Sequence, residues 1–154
     1  MRKTMTNSDH FRVLYADDNE DAREMVKVML ELENIEIIVV GTVEDAWQIA
    51  RTEEFDLYLL DSRFPDGSGL DLCRQVRENT PRSLIVFYSA NAYETDRQEG
   101  MEAGADIYLT KPYPGDLAKT ILETILLSKK AFGGSSEKSF LQQTKACESE
   151  IITL

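Results

Sequence analysis

The chain has 154 residues, enough for one domain and a short tail. Hydrophobic residues make up 42% and charged residues 29%, an ordinary globular composition, and a chain of this size buries enough surface to fold without a metal or disulfide staple. Seventeen Lys and Arg against 28 Asp and Glu leave a net charge of −11, which argues against non-specific binding to nucleic acid phosphates. Cys73 and Cys147 match neither a metal spacing nor a disulfide-dense scaffold, so a reducing compartment is expected. The N-terminal MRKTMTNSDHF has no apolar core of the signal-peptide kind, and no run approaches the ~18 apolar residues of a membrane span. The expectation is a soluble, acidic, cytoplasmic domain with no membrane partner.

Taken in chain order, five short apolar runs stand at Phe11–Ala16, Ile35–Val40, Leu57–Leu60, Leu84–Tyr88 and Ile107–Leu109. Several are apolar almost throughout, as strands buried on both faces of a parallel sheet are. Helical spacing fills the intervals. Ala22, Met25, Val26, Met29 and Leu30 predict one apolar stripe on a helix over Asp21–Glu33. Val43, Ala46 and Ala50 mark a shorter second helix, and Leu72, Cys73 and Val76 a third. Glu94–Ala103 is a fourth with little apolar patterning, closed by Gly104 as a C-terminal cap. Ala118, Ile121, Leu122, Ile125 and Leu126 predict the fifth. After it, FGGSS at 132–136 is expected to be a flexible junction. Strictly alternating strands and helices predict an α/β, doubly wound parallel sheet with helices on both faces.

Ligand sites in such sheets lie beyond the carboxyl ends of the strands. There the sequence places Asp17 and Asp18 after the first strand, Asp61 after the third, Ser89 at the end of the fourth, and Thr110-Lys111-Pro112 after the fifth. Each alone has a plain reading: the Asp pair as a helix N-cap, Lys111 as a solvated surface residue. Together they bring three carboxylates, a hydroxyl and an ammonium to one edge. Carboxylates so gathered repel one another unless a cation is present, and an oxygen-rich open site suits Mg²⁺. A carboxylate can then attack phosphorus, with Lys111 and Ser89 available to the developing charge.

These residues are similar to the receiver domain of two-component response regulators, over about Phe11 to Leu127. The acidic pair stands in Tyr15-Ala16-Asp17-Asp18-Asn19. The acceptor stretch reads Asp61-Ser62-Arg63-Phe64-Pro65-Asp66-Gly67-Ser68-Gly69, with Phe64 where Met is usual, and Ser89-Ala90, Gly104-Ala105-Asp106 and Lys111-Pro112 complete the set. The resemblance implies a flavodoxin-like five-stranded sheet of order 2-1-3-4-5 flanked by five helices, a receiver over 11–128, and a flexible or partner-binding tail over 129–154. It implies Asp61 as the phosphorylated nucleophile, with Mg²⁺ held by Asp18, Asp61 and the Arg63 carbonyl, and by Asp17 through a water. Lys111 would contact the phosphoryl group, with a cis bond to Pro112. Ser89 and Tyr108 would form a switch pair, the ring turning inward on phosphorylation. Arg63 and Asn91 flank the expected path of attacking water and are expected to set the lifetime of the phosphorylated state. A histidine kinase or phosphotransfer protein would be the donor and another protein the target, with a homodimer on phosphorylation as a further possibility. Direct DNA binding is not expected, since no helix-turn-helix or basic patch follows the last helix.

Two alternatives stand beside this reading. One is a receiver-shaped interaction module that acts without phosphorylation. The other is an Asp-nucleophile phosphatase, which fits less well because position 63 is Arg rather than an acid and no cap-sized insertion exists. A flavin-binding module fits worse, since Asp17-Asp18-Asn19-Glu20 would repel a phosphate. His10 is read as an exposed terminal residue, Cys73 as a small buried hydrophobe, and Trp47 as a partly buried helix residue. The Ile151-Ile152-Thr153-Leu154 segment is expected to dock on a neighbouring surface.

Overall fold

The computed structural model describes residues 10–134, with side chains as far as residue 130. Cys147 and Ile151–Leu154 lie outside the described residues. Strands β1 (Arg12–Ala16), β2 (Glu36–Val40), β3 (Leu57–Leu60), β4 (Leu84–Ser89) and β5 (Ile107–Thr110) form one parallel sheet in the order β2-β1-β3-β4-β5. Helices α1 (Glu20–Glu31), α2 (Val43–Ala50), α3 (Gly69–Asn79), α4 (Glu94–Ala103) and α5 (Leu117–Gly134) alternate with them. A small antiparallel hairpin pairs Arg63–Phe64 with Gly67–Ser68 between β3 and α3. This is the doubly wound, five-stranded flavodoxin-like architecture expected from the sequence.

Side-chain alternation along each strand divides the interior into two cores. Val13, Tyr15, Leu57, Leu59, Val86, Ile107 and Leu109 face α1 and α5. Leu14, Ala16, Tyr58, Leu60, Ile85, Phe87 and Tyr108 face α2, α3 and α4. Because both faces are covered, the strands lack the polar–apolar alternation of a one-sided sheet. Cys73 is fully buried in the second core as a free thiol, and burial raises its pKa to about 12, in keeping with the inert role expected of it. His10 is exposed and Trp47 half-buried, as read.

Two helix faces differ from expectation. On α1 only Val26 and Leu30 are buried, while Met25 is 61% exposed. At about 100° per residue Met25 sits a quarter turn from Val26, at the rim of the apolar arc. On α5 the buried line runs through Leu117, Ile121, Ile125 and Ser128, leaving Leu126 exposed. The buried side of the helix also takes in Thr124 and Ser128. Thr124 satisfies its hydroxyl by donating to the Thr120 carbonyl at 2.7 Å. The helix also continues through Gly134, so residues 129–134 extend α5 beyond the boundary set at 128. The first three residues of the expected FGGSS junction are therefore helical; glycine costs about 1 kcal/mol in a helix interior, which disfavours but does not forbid this.

Gly69 opens α3 where the chain turns back over β3. A Cβ there would lie 2.0 Å from the Asp61 carbonyl oxygen and 2.9 Å from Ser62 Cα, both backbone atoms with little room to yield. Gly69→Ala is therefore expected to lose roughly 1–3 kcal/mol of stability, the usual range for overpacking. Urea unfolding measures it, and a midpoint equal to the parent's would contradict the packing described.

Candidate functional site

Register places the site. Ala16 pairs with Leu60, Leu60 with Phe87, and Ser89 with Thr110, so the strands end nearly level. The ladder continues by one bond at each junction: Asp17 N–H donates to the Val40 carbonyl at 3.0 Å, Asp61 N–H to Ala16 at 2.9 Å, and Lys111 N–H to Ser89 at 2.8 Å. Adjacent parallel strands lie about 4.8 Å apart, so Asp17 and Asp61 must be neighbours. Alternation then sorts the side chains: Asp17, Asp61 and Lys111 continue the α1/α5 face of their strands, Ser89 the opposite face.

The plain reading of the acidic pair as a helix cap is excluded, because Asn19 caps α1 by accepting from Ala22 N–H at 2.9 Å. Asp17 is fully buried and has partners on every side. The Tyr15 hydroxyl donates to its Oδ2 at 2.6 Å, Asn19 N–H donates to Oδ1 at 2.9 Å, and the Lys111 ammonium is in direct contact with Oδ2. An unpaired carboxylate at that depth would be costly. Arg23 adds a bond to the Asp17 carbonyl at 2.7 Å. Lys111 reaches Asp61 Oδ2 at 3.4 Å and lies over the Tyr88 ring, 5.2 Å from its centroid. Asp18 is exposed, and one carboxylate oxygen each from Asp17, Asp18 and Asp61 falls within 4.8 Å of the others.

Three carboxylates and one ammonium leave an electrostatic deficit. Burial pushes the Asp61 carboxyl above its usual range, Lys111 pulls it back, and Asp17 raises it again. For Lys111, burial alone would lower the ammonium, but Asp17 and Asp61 outweigh it and hold the pKa above its ordinary value. Burial and the bond to Asp17 likewise keep the Tyr15 phenol protonated, well above the usual range. A dense cluster of hard oxygens with one exposed member is the donor set a small divalent cation takes.

The other expected residues are grouped around this cluster. A cavity of about 190 Å³ is lined by Asp18, Asp61, Ser62, Arg63, Ser89 and Asn91, with Ala90. Arg63 is exposed at its mouth. The Lys111–Pro112 peptide is cis. Ser89 is buried, with its Oγ 2.7 Å from Ser62 Oγ and accepting from Asn91 N–H at 3.1 Å. Tyr108 is only 2% exposed, and its hydroxyl donates to the Asn91 carbonyl at 2.6 Å.

Sequence reasoning passed over three residues. Ser62 bridges Ser89 and Asn91, and a hydroxyl next to a strand-end carboxylate was the available signal. Tyr15, two residues before Asp17 and so on its face, needed a buried partner for its hydroxyl. Gly100, inside a weakly patterned helix, is where the Tyr108 ring lies against α4.

A family profile described as response regulator receiver domain matches residues 13–123. This chain belongs to the response regulator receiver domain family. The receiver is 31% identical to the alkaline phosphatase synthesis transcriptional regulatory protein PhoP of Bacillus subtilis, over 82% of this chain and 52% of that protein. A CheY-like receiver domain protein from Methanospirillum hungatei superposes with a TM-score of 0.74 at 28% identity, covering 78% of this chain and 97% of that one. The response regulator TrrA of Thermotoga maritima, solved in complex with Mg²⁺ and BeF, gives 0.67 at 28% identity, covering 75% and 98%. The chain spans about half the length of the curated relatives it matches.

A Cβ on Gly100 would lie 2.9 Å from Tyr108 Cδ2 and 3.1 Å from Phe87 Cδ2. Gly100→Ala is expected to expel the receiver's Tyr108 ring, so that nitration by tetranitromethane, mapped to Tyr108 by peptide mass, rises several-fold over the parent. Unchanged nitration would show that α4, rather than the ring, gives way.

Proposed function

We propose that this chain is the phosphoacceptor of a two-component phosphorelay, taking a phosphoryl group from a phosphohistidine onto Asp61 and so altering a surface read by a downstream protein. The observation that carries this reading is the convergence of three carboxylates, within 4.8 Å of one another, with Lys111 3.4 Å from Asp61 Oδ2. Asp61 is the half-buried member, reached through the cavity beside Arg63. Asp17 is fully engaged by Tyr15, Asn19 and Lys111, and of the two other carboxylates it is Asp61, at the head of the receiver-like Asp61–Gly69 stretch, that the resemblance implies as the nucleophile. A carboxylate oxygen of Asp61 attacks phosphorus, a P–O bond forms, and the bond to the donor's imidazole nitrogen breaks, its electron pair leaving with the imidazole. Lys111 meets the charge on the phosphoryl oxygens, and Ser89 supplies a hydrogen bond at the far side.

The carboxylate set fits Mg²⁺: Asp18, Asp61 and the Arg63 carbonyl would hold it directly, and Asp17 through a water. When bound, the ion neutralises the carboxylates and the incoming phosphoryl charge. The chain turns over no external substrate in this reading, catalysing only its own phosphorylation and the hydrolysis that ends it. Arg63 and Asn91, both lining the cavity, set how readily water reaches the phosphoryl group. The relatives are named as transcriptional regulators, and this chain spans about half their length; the output proposed for the receiver itself is a contact with another protein. Among the described residues, no helix is long and apolar enough to cross a membrane.

Intact mass after incubation with acetyl phosphate is the test. The expected outcome is one phosphoryl adduct in Mg²⁺, none in EDTA, none in Asp61→Asn, and a changed decay half-life in Arg63→Ala and Asn91→Ala. An adduct that persists in Asp61→Asn would place the chemistry elsewhere, and none under any condition, phosphohistidine donors included, would favour an interaction module that works unphosphorylated.

A further inference from the structure

Ser62 directly follows the phosphoacceptor and ties both faces of the sheet together. Its backbone N–H donates to Asp61 Oδ1 at 2.7 Å, on the α1/α5 side. Its hydroxyl reaches the other side, 2.7 Å from Ser89 Oγ, and accepts from Asn91 Nδ2 at 2.9 Å. Asn91 then closes the circuit: its N–H donates to Ser89 Oγ at 3.1 Å and its carbonyl accepts from the buried Tyr108 hydroxyl at 2.6 Å.

The Asn91 amide nitrogen can only donate, so the Ser62 oxygen accepts there, while between Ser62 and Ser89 either hydroxyl can be the donor. With Ser62 as the donor, Ser89 Oγ accepts twice, from Ser62 and from Asn91 N–H. The Ser89 proton is then shared between the neighbouring Tyr108 hydroxyl and the cavity that Ser89 lines together with Asp61. A phosphoryl oxygen on Asp61 is acceptor-only and needs that proton.

We propose that Ser62 is a positioning residue for the switch: a hydroxyl relay from the Asn91 amide through Ser62 to Ser89, in which Ser62 as donor turns the Ser89 proton toward the phosphoryl group and away from the Tyr108 hydroxyl. This rests on the phosphoacceptor role of Asp61 proposed above. Hydrogen bonds linked in series polarise one another, so the last bond of the relay, to a charged acceptor, gains from the first. The relay also couples that bond to the loop carbonyl that holds Tyr108, so the site and the α4/β5 face are joined through two side chains, Ser62 and Asn91.

The test is a double-mutant cycle on the full chain, with beryllofluoride in Mg²⁺ as the phosphoryl mimic and affinity read by isothermal titration calorimetry. Ser62→Ala is expected to weaken binding about fivefold, the worth of one hydrogen bond between neutral groups, and Ser62→Thr to restore it. In the Ser89→Ala background the same Ser62→Ala change is expected to cost nothing further. Should Ser62→Ala fail to fold by circular dichroism, Ser62→Cys, a poor donor and acceptor of similar size, takes its place in the cycle. Parent-like affinity for Ser62→Ala, or an equal cost in both backgrounds, would overturn the relay while leaving Asp61 as acceptor. A parent that binds no beryllofluoride would overturn the proposed function and the relay together.

Discussion

The ammonium of Lys111 is the constraint around which the site is organised. It sits between a fully buried Asp17 and a half-buried Asp61, over the face of Tyr88, and each neighbour limits where it can go. Removing it would leave two carboxylates in a low-dielectric corner without a counter-charge, a situation that costs about 3–5 kcal/mol where it has been measured for buried pairs. Yet one ammonium does not balance three carboxylates. The residual negative charge, concentrated at the mouth by exposed Asp18, is what the proposed function uses to draw in a divalent cation ahead of the phosphoryl group.

Strand alternation explains how such a site communicates. Asp17, Asp61 and Lys111 continue one face of the sheet, with α1 and α5, whereas Ser89 and Tyr108 belong to the other, with α2, α3 and α4. The hydrogen bonds that join the two faces run around the carboxyl edge, since the strands between are packed with apolar side chains. Ser62 and Asn91 occupy that edge. Gly100 completes the arrangement by letting Tyr108 lie directly against α4, which places the ring between the Asn91 carbonyl and the helix.

Much of this was legible before any coordinates. Five β-branched and aromatic runs separated by helical spacing leave one economical architecture, and a parallel sheet brings every strand's carboxyl end to one side. Asp17, Asp18, Asp61, Ser89 and Lys111 could be gathered on that argument alone. What was not legible depends on rotation and packing. Met25 and Leu126 satisfy an i, i+3, i+4 pattern yet point outward, because the pattern gives a stripe's width but not its centre. Residues 132–134 of the apparent junction prolong α5, since glycine weakens a helix without ending it. Ser62 and Gly100 are small residues whose importance lies in what reaches them, Ser89 and Asn91 in one case, Tyr108 in the other.

The most direct test of this account is the thermal midpoint of the full chain as Mg²⁺ is raised, beside that of Asp18→Asn. If the clustered carboxylates await a cation, binding to the folded state alone adds about 2.7 kcal/mol at roughly one hundred times the dissociation constant. The midpoint of the parent should then climb by several degrees and saturate, and that of Asp18→Asn should stay nearly flat. A parent indifferent to Mg²⁺, or an equal rise in Asp18→Asn, would contradict the claim that this corner of the sheet is built to receive a cation.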